Sequence, residues 1–183
     1  SGHVASPVIQ PDGSVTFNNV SHAGPQLYLT GSMNEWNSAG IAMPRSSGVF
    51  SKTLALEAGS YEYKFLTASG SWDGAFTDPL NPLQRGGNSV VHVPGLKVTS
   101  SGDMAKGASL ELTARLVNGT DGSMGEVTPV WTLDEPRAGV TLDDNVLSVS
   151  ADYDAVKHPS LSVTASSGNY TVHKSINVLD RLY

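Results

Sequence analysis

Short apolar runs recur at close spacing through the first half of the chain: VIQ, VTF, LYLT, VFSKTLAL, YEYKFL and SVVHV. Turn signals such as Pro11-Asp12-Gly13, Ala58-Gly59, Ser69-Gly70 and Gly86-Gly87 separate them. No run carries the apolar spacing of a long helix. Segments this short cannot bury an apolar face alone, so they must pair edge to edge and stack, which confines the chain to an all-β, antiparallel sandwich architecture. Nineteen glycines, ten prolines and a charged fraction of only 15% fit a molecule made of short strands and many turns.

With 183 residues the chain has room for one large domain or two small ones. A boundary falls near Pro94-Gly95, and a second set of strand-like runs follows it: SLELTARLV, VTPVWTL, GVTL, NVLSVSA, SLSVTAS and YTVHKSINVL. Asp143-Asp144-Asn145 reads as the hairpin turn between GVTL and VLSVS. The expected division is residues 1–6 as a cloning remnant, 7–97 as one sandwich and 98–183 as another, excised from something larger. SGHVAS has neither a charged start nor an apolar stretch, so it does not read as a signal peptide, and His3 reads as vector-derived.

Charge and composition exclude several functions. The formal charge is −1 over residues 1–98, with 5 basic and 6 acidic residues, and −5 over 99–183, with 6 basic and 11 acidic. A mildly acidic chain without a basic cluster is a poor match for nucleic acid or an anionic membrane. There is no cysteine, which excludes disulfides and thiolate metal sites. His3, His22, His92, His158 and His173 are scattered without ligand spacing, and the Asp-Gly pairs lack the pattern of a calcium loop, so no metal or cofactor is expected. Glycoside hydrolysis needs two facing carboxylates. Glu35, Asp73 and Asp78 are the acids available, and solvation or turn capping accounts for each, so no catalytic residue is assigned.

The binding chemistry lies in two tryptophans set in polar turns, Trp36 in LTGSMNEWNSAG and Trp72 in LTASGSWDG. A flat ring beside polar groups suits a ligand with one apolar and one hydroxylated aspect, which describes a sugar. In YEYKF the period of two sends Tyr61, Tyr63 and Phe65 to the core face and Glu62 and Lys64 to the other, bringing Lys64 near the Trp72 hairpin. Trp131 lies within an apolar strand and is assigned to core.

Several motifs occur in order: G-S-x-N-x-W (Gly31 to Trp36), a strand closed by an acidic-Ala-Gly turn (Leu54 to Gly59), Tyr-x-Tyr-Lys-Phe (Tyr61 to Phe65), the Trp72 hairpin, Asp78-Pro79, and Asn-Ser-Val-Val (Asn88 to Val91). In this the segment resembles the glycogen- and starch-binding modules of carbohydrate-binding module family 48, found on the beta subunit of AMP-activated protein kinase and on bacterial pullulanases and amylases. The resemblance implies an aromatic platform of Trp36 and Trp72, with Lys64 and Asn88 bonding sugar hydroxyls. Tyr28, Asn34, Phe76 and Gln84 are further candidate contacts. The loop PLNPLQRGG departs from the kinase module's leucine-bearing loop, so the resemblance leaves contacts at Leu83, Gln84 and Arg85 open. The later strands resemble bacterial immunoglobulin-like spacer domains. Together these imply two tandem immunoglobulin-like β-sandwiches, monomeric, binding an α-glucan polysaccharide or maltooligosaccharide without catalysis. The parent would be a secreted or cell-surface bacterial protein of starch degradation. The alternative is a module that packs on other domains of its parent and binds no sugar.

Overall fold

The computed structural model of the protein describes residues 4–181, so His3 lies outside the described residues. The chain divides into two compact units. The first runs to Pro94 and takes in Gly119–Gly122; the second holds Gly95–Asn118 and continues from Ser123. Both are all-β and built from short strands in several sheets, as the strand spacing implies.

The first unit contains β1 (Val8–Ile9), β2 (Val15–Asn19), β3 (Tyr28–Gly31), β4 (Ile41–Ala42), β5 (Arg45–Ser46), β6 (Val49–Leu54), β7 (Gly59–Leu66), β8 (Gln84–Arg85) and β9 (Asn88–Val93). One sheet has the order β1-β2-β6-β5 and the other β4-β3-β7-β9-β8. Val15 and Phe17 of β2 and Phe50 of β6 meet Leu29, Tyr63, Phe65, Val91 and Val93 of the second sheet in one core. The layers interlock edge to face, with the Phe17 and Tyr63 rings 4.8 Å apart at 71°. The alternation expected in β7 holds at Tyr63 and Phe65, both at 0% exposure. Tyr61, near the strand's start, is half-buried but packs against the same core, its hydroxyl donating to the Glu57 carbonyl at 2.7 Å.

Asp78 is not the solvated acid that its loop sequence suggests. It is buried, with Oδ2 accepting from the Tyr63 hydroxyl at 2.8 Å and the Ser6 hydroxyl at 2.5 Å, and Oδ1 capping its own turn through the Leu80 N–H at 3.0 Å. Its N–H donates to Ser89 Oγ at 2.8 Å. Asn81 continues the network, its amide nitrogen donating to Tyr63 Oη at 3.1 Å and the Val90 carbonyl at 2.8 Å. Burial pushes the Asp78 carboxyl above the usual carboxylate range against the opposing pull of these hydrogen bonds, and burial then Asp78 push the Tyr63 phenol up. A polar group left unpartnered here would cost about 1–3 kcal/mol, so the network fixes the loop after residue 77 against β9. It also draws Ser6 into the folded unit, ahead of the boundary placed at residue 7.

The second unit contains β10 (Gly95–Val98), β11 (Asp103–Ala105), β12 (Ser109–Glu111), β13 (Ala114–Val117), β14 (Met124–Glu126), β15 (Val130–Leu133), β16 (Val140–Asp143), β17 (Val146–Val149), β18 (Ser160–Ser167) and β19 (Tyr170–Leu179). Its sheets are β10-β13-β14, β11-β19-β18-β15 and β12-β17-β16. The pairing of β11 with β19 is parallel, a departure from purely antiparallel construction. Trp131 packs in this unit's core with Leu147, Val163, Ala165 and Ile176. The 143–145 turn joins β16 to β17 as an antiparallel hairpin, with Asp144 in the left-handed region at φ 55°.

Candidate functional site

The chain leaves β3 through a tight 3-10 turn, Ser32–Asn34, and Gly31 makes that exit possible by close approach. A Cβ there would lie 2.2 Å from the Glu62 carbonyl oxygen and 2.9 Å from Tyr63 Cα, so the glycine of the G-S-x-N-x-W motif is a packing requirement. Asn34 Oδ1 accepts the Gly31 N–H at 2.9 Å, and the Trp36 N–H donates to the Gly31 carbonyl at 2.8 Å. Glu35 and Trp36 both take φ 57°, a left-handed conformation uncommon outside glycine, and hold the indole out of line with the strand. The turn folds back over the sheet: the buried Thr30 hydroxyl donates to the Asn37 carbonyl at 2.9 Å.

Trp72 comes from the hairpin that follows β7. Phe65 and Phe76 exchange backbone hydrogen bonds of 2.9 and 3.0 Å across its base, and the Ala75 N–H donates to the Trp72 carbonyl at 3.1 Å. The two tryptophan loops are tied together. The Gly70 N–H donates to the Ser38 carbonyl and the Ser69 hydroxyl to the Ala39 carbonyl, each at 2.7 Å. The indoles consequently sit with ring centroids 6.3 Å apart and planes at 45°. Trp72 is 46% exposed and Trp36 half-buried.

With Tyr63 and Phe65 in the core, Lys64 and Glu62 stand on the opposite face of β7, Lys64 directly across from Thr30. Asn88 opens β9, and its amide nitrogen donates to Glu62 Oε1 at 3.0 Å. Among the described residues no ion pair involves Lys64 or Glu62. The described geometry thus comprises a pair of inclined indoles on two tied loops, and, on the outward face of β7 and at the start of β9, an ammonium and a side-chain amide.

The further candidates divide. Tyr28 lies opposite Leu66, half-buried, with its hydroxyl donating to Gln26 Oε1 at 3.0 Å. The Asn34 amide oxygen faces into the turn, where it accepts the Gly31 N–H. Phe76 is not on the platform: its ring packs 5.5 Å from Phe65 and belongs to the core. Its antiparallel bridge to Phe65 gives it that strand's inward orientation. Gln84 is exposed on the edge strand β8, reaching Thr77 Oγ1 at 3.4 Å, and Leu83 beside it is 42% exposed. Glu62 was legible as a neighbour of Lys64 on the same face but not as the partner of Asn88. The Ser38 and Ser69 links carry no sequence signature. Among the described residues no group of three or more His, Cys, Asp or Glu is placed to hold a metal ion.

Every residue of the platform and its polar flank falls inside one segment with known relatives. Residues 15–92 match the family of the glycogen recognition site of AMP-activated protein kinase. The match lies within the first unit and leaves the second unit unassigned. A comparison with curated protein sequences gives no match. Among solved structures, a maltogenic amylase from S. marinus is 12% identical over 91% of this chain and 28% of its own, with a TM-score of 0.41. A chimeric titin Z1Z2 tandem is 13% identical over 96% of this chain and 91% of its own, with a TM-score of 0.28. The chain spans little more than a quarter of the amylase's length.

Proposed function

We propose that the first unit is a glycogen-recognition module that binds starch-type α-glucans, as maltooligosaccharide or polymer, and that the chain serves as a non-catalytic targeting portion of a longer protein of starch breakdown or capture. The inclined Trp36–Trp72 pair is the observation that carries this reading. An α-1,4-linked glucan turns from one sugar to the next, so successive rings meet planes set at an angle. A β-1,4 chain is a flatter ribbon and suits coplanar rings. Lys64 and Asn88 flank the stack and bond hydroxyls that would otherwise return to water.

Adhesion of this kind works through effective concentration: a weak single site tethered to an enzyme or a cell surface keeps its partner near an insoluble polymer. The same reading places the protein outside the cell or on its surface, with the second unit as a spacer. Glu35 and Asp73 do not join a catalytic pair in it, so prolonged incubation with starch or pullulan releases no reducing sugar.

Affinity electrophoresis in gels with and without soluble starch tests the proposal. Retardation that disappears in Trp36→Ala and Trp72→Ala is expected. Equal mobility of the folded wild-type protein in both gels would favour a module that only packs against its parent.

A further inference from the structure

The hydrogen bond between Asn88 and Glu62 decides which end of the Asn88 amide faces a ligand. A carboxylate only accepts, so at 3.0 Å from Glu62 Oε1 the amide must present its NH2 group inward. The carbonyl oxygen Oδ1 is then turned away from Glu62. Glu62 is itself set by the sheet: its N–H donates to Ser32 Oγ at 3.1 Å, and the register pairs it with Val90 on the strand that Asn88 begins. Neither Lys64 nor Arg85 competes for its carboxylate, since no ion pair among the described residues involves them.

We propose that Glu62 is a positioning residue for Asn88, taking up its NH2 so that Oδ1 is held as a fixed hydrogen-bond acceptor for a glucan hydroxyl. The inference rests on the glucan-binding reading above. Its chemical consequence is polarity. An ammonium such as Lys64 can only donate, whereas an amide anchored through one N–H holds its carbonyl oxygen in a fixed direction as an acceptor, so two sugar hydroxyls are read in opposite senses: one as acceptor, the other as donor. An amide free to rotate would offer either end and fix neither.

Calorimetric titration with maltoheptaose, beside circular dichroism to confirm folding, tests this. Glu62→Ala should weaken binding about 3- to 10-fold, while Glu62→Gln, whose side-chain carbonyl still accepts the Asn88 NH2, should stay within about threefold. In an Asn88→Ala background Glu62→Ala should add nothing beyond about twofold, because the group it positions is gone. Asn88→Asp sets two carboxylates against each other and should weaken binding about tenfold. Pairing it with Glu62→Gln gives the new carboxylate an amide donor, restores an outward acceptor oxygen and should return affinity to within about threefold of wild type. This pair conserves shape, so it decides the matter even where Glu62→Ala does not fold. The inference is overturned if Glu62→Ala costs as much without Asn88 as with it, or if the double variant binds no better than Asn88→Asp, while wild type binds normally. Absence of wild-type binding would overturn the glucan-binding reading and this inference with it.

Discussion

Trp72→Ala is the most direct test of the platform, because its effect can be worked from the ring's surroundings. A tryptophan offers about 250 Å² of surface at most, so a residue 46% exposed presents about 115 Å² to solvent. A sugar stacked on one face covers about half of that, near 55 Å², which at ~25 cal/mol per Å² is about 1.4 kcal/mol. The apolar face of the sugar loses a similar area, bringing the loss on truncation to about 2–3 kcal/mol, or ~30- to 150-fold in affinity. The indole lies on an exposed hairpin and outside the core of the first unit, so the variant should melt within a few degrees of wild type. Calorimetry with maltoheptaose, with fluorescence quenching as an independent readout, should show that loss. Lys64→Ala and Asn88→Ala should each cost less, since their bonds replace bonds to water. A Trp72→Ala protein that is folded and binds maltoheptaose within threefold of wild type would refute the stacking platform.

Three further outcomes follow from the scaffold. Gly31→Ala, whose Cβ would meet backbone atoms of β7 at 2.2 and 2.9 Å, should destabilise the first unit by about 1–3 kcal/mol in urea unfolding; an unchanged midpoint would mean the contact relaxes freely. Tyr63→Phe removes the hydroxyl shared by Asp78 and Asn81 and should cost about 1–3 kcal/mol, measured the same way, whereas a neutral result would show the network dispensable. Because the folded pKa of Asp78 is raised, its contribution to stability is fully present below the unfolded value near 3.8 and is lost as pH rises through the raised one. The stability of wild type minus that of Asp78→Asn should accordingly fall with rising pH, and a gap that widens would reverse the assignment; the lowered Asp12 and Asp134 act in the opposite sense but cancel in the difference.

The strand pattern made the fold legible because alternation is a local property: Tyr63 and Phe65 bury and Lys64 turns outward for no reason beyond a period of two. That Trp36 and Trp72 sit in polar turns was legible as well, though not that the two rings lie 6.3 Å apart. What escaped reading depended on partners distant in sequence. Asp78 is buried by Ser6, 72 residues away, and the 78–81 turn by itself looks like any solvated Asx turn. Phe76 follows Trp72 closely, yet its bridge to Phe65 commits it to the core. Glu62 lies 26 residues from the amide it holds, a pairing only the sheet register creates.

The bonds from Gly70 to Ser38 and from Ser69 to Ala39 mean that neither tryptophan loop has a shape of its own. The angle between the rings is a joint property of two segments on separate strands, and a transplant of either alone onto another β-scaffold would carry an indole without its inclination. A designer wishing to move this recognition surface must graft residues 31–40 and 67–76 together, on neighbouring antiparallel strands that reproduce the pairing of β3 with β7.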